Sequence, residues 1–129
     1  MLYEAYGLSI DSEIELPLLN ISSLLSSDVV FSVDNNLELP SEYKGSDFFT
    51  KTTLDSVFYF KKNIGLFFIK KDSIKIKPDC KEFDSDFLRV MLGLPFGYLL
   101  MLNSKLTLHA SAVNKNNKGI IFMGKRGMG

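Results

Sequence analysis

Six consecutive residues, Gly124-Lys125-Arg126-Gly127-Met128-Gly129, have the types and spacing that suit phosphate binding. The phosphate-loop pattern is a glycine, four free positions and a second glycine, followed by lysine and then serine or threonine. Gly124 and Gly129 fill the two glycine positions, and the 129 residues end where the lysine is expected. Glycine suits such a loop because its backbone takes positive φ and comes close to the phosphate oxygens. Successive N–H groups turned inward around Gly127 and Gly129 form a concave anion site at a helix N-terminus. The next residues of the pattern, lysine and a hydroxyl, reach the β/γ-phosphates and hold magnesium. These 129 residues carry neither and close on the Gly129 carboxylate, so alone they are expected to bind nucleotide weakly and to be inactive. Lys125 and Arg126 either add charge toward the phosphates or sit in solvent.

His109 is the second candidate. It is the only histidine, so neither a Ser-His-Asp arrangement nor a histidine metal cluster can be assembled. Flanked by Leu108 and Ala110, it is either a satisfied core histidine or a residue working beside the loop, fifteen positions ahead of Gly124. Ser111 reads as a small packing residue rather than a nucleophile. Cys80 is the only cysteine, which excludes an internal disulfide and reads as a loop thiol in a reducing compartment. Asp79, Glu82, Asp84 and Asp86 are most simply a turn and a helix cap, so no metal site is expected.

These groups need elements to carry them. Gly119–Met123 reads as the buried strand that delivers the loop, paired across a polar turn at Asn114–Lys118 with a strand over Leu106–Val113. Before them, Asp84 or Ser85 caps a helix with Phe87, Val90, Met91 and Leu94 on its buried face, and Pro95 kinks it or starts a second one. Helical patterning continues from Phe96 to Asn103. The clearest β signal is Val57–Phe60, Leu66–Ile69 and Ile74–Lys77, an antiparallel meander with Lys75 and Lys77 on its wetter face. That meander is either purely structural or a surface for a partner. Leu2–Ile10 and Ser12–Leu16 read as strands, the second ending at Pro17, and Asp28–Asp34 supplies another. Residues 1–83 therefore form a mostly antiparallel β region, and 84–129 the helical part and the start of a second unit.

Composition sets the outer bounds. Lysine plus arginine balance aspartate plus glutamate at 15 each and are scattered, which argues against a nucleic-acid partner. Met1–Gly7 has no basic stretch or long apolar run, so no signal peptide is expected. The apolar stretch Val90–Leu102 is short of the roughly 20 residues that span a bilayer. A buried core helix is the better reading, with no membrane partner and a cytoplasmic location. Strands 107–113 and 119–123 carry an unpaired edge and apolar Ile120, Ile121 and Phe122, so self-association is expected.

Leu108–Val113, the polar turn, Gly119–Met123 and the loop at 124–129 together resemble the HPr kinase/phosphorylase family, and more closely its shorter HPr kinase-like members. In that family a histidine precedes the first loop glycine by fifteen residues, as His109 precedes Gly124. Tyr6–Ile10, Ser12–Ile14, Leu16-Pro17 and Leu92–Pro95 resemble upstream parts of these chains. The resemblance implies an α/β fold with an α+β N-terminal part: an antiparallel sheet, a kinked helix, then the first strands of a P-loop kinase core. It implies an ATP-dependent serine kinase acting on a protein or peptide, using ATP and Mg2+ in the full-length enzyme. His109 would then orient a catalytic acidic residue. The family's downstream aspartates and arginines do not occur in these 129 residues, and Lys125 and Arg126 replace the small and hydroxyl residues more usual in its loop. Two alternatives stand beside the kinase: a non-catalytic module that binds a peptide or protein, and a phosphoenolpyruvate carboxykinase-like P-loop enzyme.

Overall fold

Tyr6 and Gly7 both take left-handed backbone, with φ of 52° and 72°, and fold the N-terminal run back on itself. In the computed structural model, which describes residues 1–125, the single strand expected over Leu2–Ile10 is two: β1 (Leu2–Ala5) and β2 (Leu8–Ser12). Positive φ at both central positions gives the turn whose twist matches that of paired strands. Tyrosine seldom occupies such a position, which hides the turn from a sequence reading. The strand expected over Ser12–Leu16 is likewise corrected. The ladder ends at Ser12, whose hydroxyl bonds both the N–H and the carbonyl of Ile14, while Leu16 N–H donates to the buried Tyr3 hydroxyl. Alternate residues Ile14 and Leu16 are buried, so the alternation records packing of an irregular segment rather than a ladder.

Six more strands complete the sheet: β3 (Asn20–Ile21), β4 (Val29–Val33), β5 (Phe48–Thr52), β6 (Ser56–Lys61), β7 (Gly65–Lys70) and β8 (Ser73–Pro78). Their order is β3-β1-β2-β4-β8-β7-β6-β5. The meander β6-β7-β8 is antiparallel as expected, and β5, not foreseen, extends it at the edge. The sheet is mostly antiparallel, with a correction at β4, which pairs in parallel with both β2 and β8. Both connections, over residues 13–28 and 34–72, are long enough for the crossover that parallel pairing requires. Gly65 allows the close β7–β8 approach: at φ 150° a Cβ there would stand 2.6 Å from the Lys77 carbonyl oxygen.

One sheet face is apolar and covered. Ile10, Phe31, Ile74, Phe67, Ile69 and Val57 pack beneath α1 (Ser85–Met91) and α2 (Leu94–Leu102). Asp84 caps α1 by accepting the Phe87 N–H at 2.9 Å. Pro95 lies in the first turn of α2, where a missing N–H costs nothing, so the helical run bends there and α1 and α2 are its two arms. Ser85–Leu102 is long and apolar enough to cross a bilayer. It is nevertheless broken between α1 and α2, and its Phe87, Met91, Phe96 and Leu99 are buried in the core. The α2 sequence is apolar around its whole circumference, yet Leu94 and Met101 on its outer side are exposed.

Candidate functional site

After α2 the chain leaves the core, and every described residue from Ser104 to Lys125 is exposed. Asn103 anchors the departure: its side-chain amide donates to the carbonyls of Leu99 and Lys71. The segment then forms a separate antiparallel pair, β9 (Ser111–Lys115) and β10 (Lys118–Phe122). Asn116 and Asn117, with φ of 54° and 58°, make the two-residue turn between them. Asparagine tolerates this left-handed backbone better than most residues, so the polar turn was legible from the sequence.

The strand expected over Leu106–Val113 is shortened. It begins at Ser111, and Leu106–Ala110 has no strand neighbour, so His109 lies on an irregular connection just before β9. His109 is exposed and is not a core histidine. It lines a cavity of about 580 Å3 between α2 and the connection, together with Lys105, Tyr6, Phe96 and Met101. Tyr6 sits edge-on to Phe96, with ring centroids 5.6 Å apart. Lys105 and Tyr6 were not singled out by sequence. Nothing in their local pattern marks them, because the turn at Tyr6 and the path of the connection bring them to the same cavity as His109.

The hairpin register relates the two candidate groups. Ser111 pairs with Phe122 and Val113 with Ile120. Counted two residues further, that register would match His109 with Gly124, but the ladder itself stops at Ser111 and Phe122. The interval of fifteen residues is thus the arithmetic of a hairpin with a two-residue turn. Gly124 and Lys125 follow β10 and are exposed. Arg126, Gly127, Met128 and Gly129, also expected in the phosphate loop, lie outside the described residues.

Both hairpin faces are apolar: Phe122, Ile120 and Val113 share one, and Ile121 and Ala112 the other. Ser111 lies exposed at the open end of the hairpin. Three of the four carboxylates at 79–86 have structural work: Asp79 accepts the Asn63 N–H, Asp84 caps α1, and Asp86 pairs with Arg89 at 3.0 Å. Burial, followed by the charges of Asp84 and Asp79, raises the Cys80 thiol above its ordinary pKa, which opposes thiolate formation. No protein-family model matches the chain, and no curated protein or solved structure matches it.

Proposed function

We propose that the chain is the N-terminal portion of an HPr kinase-like, ATP-dependent serine kinase that acts in the cytoplasm on a protein or peptide. What supports this reading is the β9–β10 hairpin, an apolar strand that runs directly into the first glycine of a phosphate-loop pattern, with His109 on the connection just before its partner strand. Gly124 and Lys125 are exposed, and in this reading the glycine spacing of the sequence would let backbone N–H groups hold a phosphate. ATP with Mg2+ supplies, when bound, the phosphoryl group for the acceptor serine. In this reading His109 acts as a positioning residue, holding an acidic group in the geometry that transfer requires.

A binding module for a peptide or protein is the second reading, favoured by the sheet face that the helices leave uncovered. Phe58 and Phe68 stack there at 4.4 Å, with the Lys70 ammonium 5.5 Å from the Phe68 ring centroid. Reading the gene past the Gly129 codon separates the two. Lysine followed by serine or threonine is expected, whereas unrelated residues defeat the kinase. Calorimetry with Mg-ATP on residues 1–129 should give no affinity tighter than about millimolar, near 4 kcal/mol. Tighter binding would show that the backbone donors alone suffice and overturn the role given to the lysine.

A further inference from the structure

Tyr6 also borders a second cavity, of about 450 Å3, whose polar lining is Glu4, Ser9, Asn20 and Asp28. The pairing register explains this grouping. Glu4 is the direct partner of Ser9 on one side and of Asn20 on the other, so the three side chains leave the same face of the sheet. Asp28 is clasped to Ser9: its N–H donates to the Ser9 carbonyl at 2.8 Å, and its Oδ2 accepts the Ser9 N–H at 2.8 Å. Ser9 is only 2% exposed, and its Oγ has no hydrogen-bond partner among the described residues. A buried hydroxyl is normally satisfied, and this one keeps its hydrogen-bonding capacity unused within the described residues. Neither Glu4 nor Asp28 forms an ion pair among the described residues.

We propose that this cavity takes an organic cation, the guanidinium or ammonium of a basic side chain on a peptide partner. Glu4 and Asp28 make the lining net negative, with the Lys105 ammonium at its Gly7 edge, and a cation compensates the desolvated carboxylates where an anion or a neutral ligand does not. No group of three His, Cys, Asp or Glu residues able to hold a metal occurs among the described residues. Guanidinium and ammonium carry only donors, matching a lining of carboxylate, hydroxyl and amide oxygens. The source of the cation, a peptide, rests on the protein- or peptide-directed reading above; the site itself does not.

The test is an amide-resolved NMR titration of the 129-residue chain with N-acetyl-arginine amide, N-acetyl-citrulline amide, putrescine and magnesium chloride. Citrulline keeps the shape of arginine without the charge. Saturable shifts of Ser9, Asn20 and Asp28 are expected with the arginine compound, about tenfold weaker or more with citrulline. Glu4→Gln, at an exposed position whose backbone pairing is untouched, should weaken arginine binding several-fold, and Ser9→Ala should weaken it as well. Equal binding of citrulline, shifts confined to other residues, or unchanged affinity in Glu4→Gln would overturn the site. Tighter binding of putrescine would replace the peptide by a free amine, and the same shifts with magnesium alone would replace the organic cation by a metal. The titration contains no nucleotide, so arginine binding can survive a failure of the kinase reading, and the reverse.

Discussion

Replacing Phe96 by alanine, beside the same change at Leu94, tests how α2 is seated. Both are apolar residues in the first turn of one helix, but Phe96 is 1% exposed and Leu94 is 55% exposed. The Phe96 ring meets Phe31 edge-on at 5.8 Å and Tyr6 at 5.6 Å, so its loss empties a site bounded by sheet, helix and turn. A buried Phe→Ala change costs about 3–5 kcal/mol, from lost transfer energy and the cavity left behind. Against a total stability of about 5–15 kcal/mol, that is a large fraction. With a urea slope of about 2 kcal/mol per molar, the midpoint should fall by about 1.5–2.5 M. Leu94→Ala removes mostly solvated surface and adds a better helix former, so it should stay within about 0.5 kcal/mol of the parent. Urea unfolding followed by far-UV circular dichroism measures both. Equal costs at the two positions would show that α2 is covered on its outer side or turned about its axis, and the described seating would be wrong.

Ile121→Lys should abolish any concentration-dependent rise in sedimentation coefficient, because it places charge on an exposed apolar face beside the unpaired β10 edge. An unchanged rise would move self-association away from the hairpin. Asp84→Ala should cost about 1 kcal/mol by removing the acceptor for the Phe87 N–H, and a loss under a few tenths in urea unfolding would deny the cap its role. Cys80 should be alkylated by iodoacetamide more slowly than a free cysteine near pH 8. Its raised pKa leaves less thiolate at that pH, and the rate should climb only as the pH rises further; a faster rate would contradict that direction.

Features set by short-range chemistry were legible in the sequence. A cap at Asp84 or Ser85, a break in the helical run at Pro95, the β6-β7-β8 meander and the polar turn at 114–118 each depend on a few neighbouring residues and their backbone preferences. The glycine spacing at 124–129 and the interval from His109 to Gly124 belong to the same class, since both are counts along the chain. Tertiary structure decided the rest. The parallel pairing of β4 joins strands brought together by crossovers of many residues, which no local pattern encodes. The α2 sequence has no polar stripe to tell its inner side from its outer, so only packing against the sheet selected Phe96 and Leu99 for burial over Leu94 and Met101. His109 came to share a cavity with Lys105 and Tyr6, and Ser9 gained Glu4, Asn20 and Asp28, through turns and registers that bring distant positions together. Composition and spacing reveal which groups are available; which of them meet depends on the path of the backbone between them.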